Sequence, residues 1–204
     1  ALLERAGDAV VAKGLAGGFP IMERSDDNGA SFAPCGTILD PSSSAGQQYS
    51  PSNGTLVAKP AIDAAGRMFV EVTMPPLNSP PVGASLNSLY IAVAEHGCNG
   101  GTVFANHLIY SDPGADLGKI FNSVTVDKGG NVYVIAAGHT KAGQTTTDVW
   151  MFVSRDHGVH WSAPIRVNST ALKANVMPTL VGGLKGGEVA VGWFGTSSAG
   201  DPNY

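Results

Sequence analysis

The chain has 204 residues, of which 43% are hydrophobic and only 14% are charged, well below the roughly 25% of charged residues in an average globular domain. Its 27 glycines and 13 prolines suit many short strands joined by tight turns, whereas surface helices need more Glu, Lys and Arg. The formal net charge of −4 and the lack of a basic cluster exclude nucleic-acid binding, which needs a positive surface, and no apolar run approaches the roughly 18 residues that span a bilayer.

One kind of hairpin occurs three times along the chain. An alternating strand runs into a turn that opens with Asp or Gly and closes with Gly, and a second alternating strand follows, in Pro60–Val70, Ser123–Val134 and Pro178–Val191. Glycine at the close of the turn tolerates the positive φ that tight hairpins need. The closing glycines Gly66 and Gly130 are 64 residues apart (130 − 66), which sets the length of a repeat.

A second kind of hairpin alternates with the first. Ile21–Phe32 and Met151–Trp161 both read Ser-x-Asp-x-Gly-x-x-aromatic after an apolar strand, and their serines are 129 residues apart (154 − 25), about two repeats. Midway between them, Leu89–Cys98 keeps the strand but has lost the motif. Each repeat therefore holds four strands in meander order, which is the pattern of a propeller blade.

We predict an all-β fold, a single partial β-propeller of four-stranded antiparallel meander blades, about three of which lie in this chain. The predicted blades are residues 8–39 (the last three strands of a blade), 55–111, 119–168, and the start of a fourth at 175–204. Closed propellers need at least four blades, and an open ring exposes strand edges. The sequence therefore predicts an excerpt of a larger propeller, whose remaining blades come from the parent chain or from another chain.

The two Ser-x-Asp-x-Gly-x-x-aromatic turns resemble the Asp-box, or bacterial neuraminidase repeat, of the sialidase-like propeller family. That repeat occurs in sialidases, sortilin-type receptors, photosystem assembly factors and several glycosidases. In such a turn glycine takes the strained position, Ser and Asp bond the turn's own amides, and the aromatic ring packs between strands. The resemblance implies these structural roles for Ser25, Asp27, Gly29, Phe32, Ser154, Asp156, Gly158 and Trp161.

A hydrolase triad is the alternative explanation of the second turn, because His157 and His160 lie beside Ser154 and Asp156. A triad is a constellation in space rather than a contiguous run, and the turn already accounts for the Ser, Asp, Gly and Trp residues together. We therefore expect both histidines to face solvent.

The longest predicted loops share one rim of the propeller, at residues 39–55, 74–88, 111–119, 138–148 and 168–175. Long loops on a rigid scaffold commonly carry binding sites. The catalytic candidates are His139, Asp148 and Asp112, the first two of which flank one loop and are a potential acid/base pair. The binding candidates are Tyr49, Asp116, Lys141 and Gln144, and ordinary solvated loop positions are the alternative for every one of these residues.

The family resemblance implies three arginines that grip a substrate carboxylate, a tyrosine–glutamate nucleophile and an aspartate acid/base. Ala58 and Val176 stand where the first arginine is expected, two residues before Pro60 and Pro178. None of the five arginines falls on the predicted functional face, so no catalytic residue is carried over from the family. The sequence shows no metal-ligand spacing and predicts no cofactor.

Cys35 and Cys98 map to the same rim of neighbouring predicted blades. We expect a disulfide, which implies an oxidising compartment, and two buried free thiols are the alternative. No signal peptide is recognisable at the start of this segment, and the expected location is extracellular or at the cell surface. Asn53 and Asn168 begin glycosylation sequons.

Two functions from different classes remain open. The first is an extracellular sialidase-like propeller that binds or hydrolyses glycans through its long-loop face. The second is a non-catalytic scaffold that binds an extracellular protein, because one fold serves both purposes. An arginine cluster with a Tyr–Glu pair in blades outside this segment favours the first, and a large apolar patch on the long-loop face favours the second.

Overall fold

The computed structural model describes residues 2–6, 9–15, 20–49, 55–76, 85–119, 121–169 and 171–198, with the backbone alone for those before residue 20. Sheet 1 contains β1 (Leu2–Ala6), β2 (Ala9–Leu15), β3 (Pro20–Ser25) and β4 (Ala33–Thr37). A short helix, α1 (Ser44–Gln48), follows it. Sheet 2 contains β5 (Leu56–Val57), β6 (Ala61–Ile62), β7 (Met68–Met74), β8 (Ser88–Ala94) and β9 (Ala105–Ser111). Sheet 3 contains β10 (Ser123–Val126), β11 (Val132–Gly138), β12 (Asp148–Ser154) and β13 (Ile165–Arg166), and sheet 4 contains β14 (Ala174–Gly182) and β15 (Val189–Thr196).

Each sheet is an antiparallel meander in which consecutive strands pair. In sheet 2, β5 and β6 both pair with β7 and together form one interrupted first strand. Sheet 1 has four strands, because β1 precedes residue 8, where we expected the first blade to begin. The nearly all-β architecture agrees with the predicted fold class.

The first strands of neighbouring sheets lie side by side. The strand β10 contacts β6 of sheet 2 and β14 of sheet 4, so these strands occupy the inner side of the array. The sheets do not close into a ring, and the chain is therefore a partial β-propeller. No helix in the described ranges is long and apolar enough to span a membrane.

The core lies between the sheets, because the middle strands are buried on both faces. The two faces of β7 contact different neighbours, as the alternation of side chains along a strand requires. Met68, Val70 and Val72 pack toward sheet 1, whereas Phe69 packs with Val134 of sheet 3. A third cluster joins sheets 3 and 4 through the side chains of Tyr133, Ile135, Leu180, Val191 and Trp193.

The two Ser-x-Asp-x-Gly turns have matching hydrogen bonds. Ser25 Oγ donates to Asp27 Oδ1 at 2.7 Å and accepts from the Gly29 N–H at 2.8 Å. The corresponding distances from Ser154 Oγ to Asp156 and Gly158 are both 2.8 Å. Both glycines have positive φ, 88° and 92°. Local side-chain bonds to the backbone therefore hold both reversals, as expected for short polar residues in turns.

Each of these aspartates also accepts hydrogen bonds from the residue four positions later, and these bonds close the turn. The hydroxyl of Ser31 and that of Ser25 lower the pKa of Asp27 well below its ordinary value. The His160 N–H, which donates to Asp156 Oδ1 at 2.9 Å, and the His160 ring lower the pKa of Asp156 in the same way.

The turns between first and second strands are organised around Asp63 and Asp127. Each carboxylate accepts the backbone N–H groups of the residues two and four positions later, at 2.8–3.0 Å. Asp127 also accepts from Tyr133 Oη at 2.8 Å and from the Gly187 N–H of sheet 4 at 2.6 Å. Burial alone raises the pKa of Asp127, but hydrogen bonds from Asn131 and Gly187 outweigh it and lower that pKa to about 2.

The hairpin of β8 and β9, which lacks the Ser-x-Asp-x-Gly motif, is held by a disulfide instead. Cys35 of β4 is bonded to Cys98 in the turn between β8 and β9, as we expected. Beside it, the Thr37 N–H donates to the Thr102 carbonyl at 2.9 Å. A Cβ at Gly36, whose φ is +125°, would lie 2.3 Å from that carbonyl oxygen. The glycine therefore allows sheets 1 and 2 to approach closely at the disulfide.

Candidate binding site at the loop rim

The connections of the sheets lie on two opposite rims. On the turn rim, the two turns of sheet 3 lie close together, because a Cβ built at Gly130 would be only 3.2 Å from the ring of His157. On the loop rim, the segment 112–119 that enters sheet 3 crosses the loop 139–147, which joins β11 to β12. Of the sequence-based candidates, Asp112, Asp116, His139, Lys141 and Gln144 belong to these two segments, and Asp148 begins the strand that follows.

The crossing is made by one antiparallel pair of residues. The Asp116 N–H donates to the His139 carbonyl at 2.9 Å, and the His139 N–H donates to the Asp116 carbonyl at 2.8 Å. The preceding residue, Gly138, has a φ of +148°, and a Cβ there would lie 1.9 Å from the Asp116 carbonyl oxygen. The close approach of the two segments therefore requires glycine at this position.

Three chemically different side chains meet at the crossing, and we call Asp116, Lys119 and His139 the rim cluster. Residues that exchange both backbone hydrogen bonds project their side chains to the same side of the ladder, which puts the Asp116 carboxylate and the His139 imidazole on one side of the crossing. Lys119 Nζ lies 2.7 Å from Asp116 Oδ2. The His139 Nε2 atom is buried, and no described residue hydrogen-bonds it.

Gln144 closes the loop of the rim cluster rather than projecting into solvent. Its Oε1 accepts from the Thr140 N–H at 2.7 Å, from the Thr140 hydroxyl at 3.1 Å and from the Lys141 N–H at 2.9 Å. The Thr140 carbonyl in turn accepts from Tyr110 Oη at 2.7 Å. These bonds preorganise the loop, while the Lys141 side chain is exposed.

The expected pairing of His139 with Asp148 is replaced by another arrangement. Asp148 lies opposite Gly138 in the ladder, so the Asp148 side chain lies on the face to which Gly138 belongs. The side chain of His139, the residue after Gly138, points to the opposite face. The residue Asp148 is 3% exposed, and its carboxylate accepts from Arg166 Nη2 at 2.7 Å and from Asn168 Nδ2 at 3.0 Å. One arginine thus approaches the loop rim, and the amide of the sequon residue Asn168 is buried and bonded.

Two further candidates have local structural roles. Asp112 Oδ1 accepts from the Gly114 N–H at 2.8 Å and holds the turn after β9. Tyr49 ends α1 and packs against the core between sheets 1 and 2, where burial raises the pKa of its hydroxyl. The other sequon residue, Asn53, lies outside the described residues.

Sequence reasoning missed a buried carboxylate below the rim cluster. Glu71 on β7 has no exposed surface, and its Oε1 accepts from the Thr73 hydroxyl. Asn122 Nδ2 donates to Thr73 Oγ1 at 2.6 Å and to the Leu117 carbonyl at 3.0 Å. This network links Glu71 to the crossing segment. The signal in the sequence was one Glu in a strand that is apolar apart from Thr73, since burying a carboxylate is costly unless it is hydrogen-bonded.

The second Ser-x-Asp-x-Gly turn has no triad geometry. The Ser154 hydroxyl is fully buried and donates to Asp156 rather than to a histidine. The side chain of His160 is 86% exposed, as expected, and binds Asp156. His157 differs from the expectation: its Nδ1 is buried, because the ring packs against the turn at Gly130.

Comparison with known proteins identifies similar folds but no family. No protein-family model and no curated protein matches the chain. A Hadza microbial sialidase superposes with a TM-score of 0.55 at 14% identity, over 87% of this chain and 38% of the sialidase. The Penicillium chrysogenum α-L-arabinanase complexed with arabinobiose gives 0.53 at 12%, over 86% of this chain and 50% of the arabinanase. An ulvan lyase gives 0.52 at 13%, over 94% and 44%.

These neighbours are glycan-active enzymes built on propellers, and at such identities the likeness shows the fold alone. The chain spans half or less of the length of each of them.

Proposed function

We propose that this chain is part of an extracellular Asp-box propeller of the sialidase-like family that binds glycans at its loop rim. The matching hydrogen bonds of the turns at Ser25 and Ser154 support the Asp-box assignment. The similar solved structures are named as a sialidase, an arabinanase and an ulvan lyase, all of which act on glycans. The disulfide between Cys35 and Cys98 supports an oxidising location.

The rim cluster is the observation that carries the binding proposal. Sugar hydroxyls both donate and accept hydrogen bonds, and the cluster offers an acceptor in Asp116 and a donor in Lys119, with His139 paired to Asp116 through the backbone. Hydrogen bonds to charged groups are roughly twice as strong as neutral ones. The Gln144 bonds and the crossing at Gly138 hold these groups in place before a ligand arrives.

The remaining blades are part of the same proposal. The side chains of Val181 and Phe194, which are 62% and 60% exposed, lie on the outward face of sheet 4. By register this face corresponds to the Tyr133 and Ile135 face of sheet 3, which is buried against sheet 4. A further blade packing there continues the series of interfaces. This apolar patch lies on a flank rather than on the loop rim, so it does not favour the alternative of a scaffold that binds protein through that rim.

A printed glycan array that includes arabinobiose and sialyllactose tests the binding proposal. Lys119→Ala is expected to weaken binding at least tenfold, because it removes the ammonium donor of the rim cluster. The matched control is Lys128→Ala, which removes an exposed lysine from the turn rim of the same sheet and should leave binding unchanged. Absence of binding by the wild-type protein, or an equal loss in the control, contradicts the proposal.

A further inference from the structure

Phe121 combines two unfavourable features at the entrance to β10. Its φ is +55°, in the left-handed region, which is costly for a bulky side chain. Its side chain is also 66% exposed, so the ring gives up most of the stabilisation that burial provides. Strained backbone that persists in a structure concentrates at functional sites, which makes Phe121 a candidate for a role other than folding.

The exposure of Phe121 is not caused by an uncovered flank of its own sheet. Sheet 3 packs against sheet 2 through one core cluster and against sheet 4 through another. Phe194, by contrast, is 60% exposed on the outward face of sheet 4, where no sheet of this chain packs in the described ranges. Phe121 and Phe194 are thus similarly exposed, but from different causes.

The neighbouring inner strand repeats the feature. Val126 and Gly182 occupy equivalent positions, since each pairs with the first residue of the following strand. Five residues before them stand Phe121 and Met177, and Met177 has a φ of +52° and is 41% exposed. The register of β14 shifts at this level, between Val176 and Thr179. Two adjacent inner strands therefore both present an apolar side chain on left-handed backbone.

Phe121 is flanked by polar residues in the chain. Lys119 of the rim cluster lies two residues before it, and Asn122, whose amide is bonded to Thr73, follows it directly. An apolar face beside a few fixed polar groups is the arrangement of small-ligand sites. A sugar ring has the matching chemistry, with a face of C–H bonds and hydroxyls along its edge.

We infer that Phe121 is the platform on which one sugar ring of a bound glycan stacks, with Met177 extending the apolar surface to the next inner strand. This inference rests on the proposed function and adds to it the kind of contact and the residue that makes it. The left-handed backbone turns the phenyl ring out of the core, and the hydrogen bonds to the sugar hydroxyls come from the rim cluster.

The test uses Phe121→Asn and Phe121→Trp on the same array of glycans, which includes arabinobiose and sialyllactose. Asn tolerates left-handed backbone, so the Asn variant should keep or raise the urea midpoint of unfolding while binding falls at least tenfold. The Trp variant keeps an aromatic face and should retain binding. The control is Leu184→Asn, which removes an exposed apolar side chain from the turn rim of sheet 4 and should not change binding.

The outcomes separate this inference from the proposed function. Normal binding by Phe121→Asn together with loss in Lys119→Ala overturns the platform and leaves glycan binding intact. An equal loss in Leu184→Asn, or a large fall in the unfolding midpoint of Phe121→Asn, also overturns it, because the loss is then not specific to the ring or acts through folding. A wild-type protein that binds no array glycan overturns both proposals.

Discussion

The disulfide between Cys35 and Cys98 is expected to supply a large share of the stability of this chain. Its two cysteines are 63 residues apart in the sequence. In the chain-entropy treatment, opening a loop of that length returns about 14 cal/mol/K to the unfolded chain, or about 4 kcal/mol at 25 °C. Whole domains have about 5–15 kcal/mol of stability. The backbone bond from Thr37 to Thr102 stays available after reduction, so sheets 1 and 2 retain part of their interface.

Urea unfolding followed by tryptophan fluorescence measures this contribution, with the free energy taken from linear extrapolation. Reduction of the wild-type protein should lower the free energy of unfolding by about 3–4 kcal/mol. The double variant Cys35→Ala, Cys98→Ala should fall by a similar amount, because the same constraint is lost, and reductant should have no further effect on it.

Two results refute this reasoning. Alkylation of both cysteines in unfolded, unreduced protein shows that the thiols are free. A double variant that is much less stable than reduced wild-type protein shows that packing around the fully buried Cys35 side chain, and not the covalent link, provides the stability.

Three further predictions concern the turns and the crossing. The pKa of Asp127 is lowered from 3.8 to about 2, so its contribution, on the order of 1–2 kcal/mol, is complete above pH 4 and is lost as pH falls through 2. Urea unfolding at pH 5 and pH 2.5 should show this difference in the wild-type protein and a smaller one in Asp127→Asn. Ser154→Ala and Ser25→Ala each remove the hydroxyl that joins two turn groups and should each lower stability by about 1–2 kcal/mol, measured by thermal unfolding; a neutral result at both positions contradicts the structural role. Gly138→Ala places a Cβ against the Asp116 carbonyl and should weaken glycan binding on the array together with stability, whereas Gly101→Ala, whose Cβ comes no closer than 3.6 Å to another group, should leave binding unchanged.

The turns show how far local sequence determines structure. In the hairpins at Asp63 and Asp127, the side chain, the two backbone donors of its own turn and the closing glycine all lie within five residues. The same holds for the turns at Ser25 and Ser154. Such contacts carry little loop-closure entropy, so residue type and spacing alone predict them, and with them the repeat and the propeller fold.

The candidate site depended on contacts between distant segments. The sequence predicted His139 and Asp148 as a potential pair because they are the two ends of one loop. The alternation of side chains along the ladder puts these two side chains on opposite faces. Asp116 became the neighbour of His139 only because another connection crosses the loop at Gly138. The role of Glu71 depended on Asn122, 51 residues away.

The sequence by itself therefore determined the meander, the two kinds of turn, the rim on which the loops gather and the pairing of Cys35 with Cys98. The tertiary structure alone decided which side chains meet at that rim and which rings remain exposed, such as Phe121. The physical reason is the separation along the chain between the residues that make each contact. Hydrogen bonds within a turn are set by adjacent residues, whereas the partner of a loop side chain depends on how separate sheets pack and which backbone segments can approach closely enough to pair.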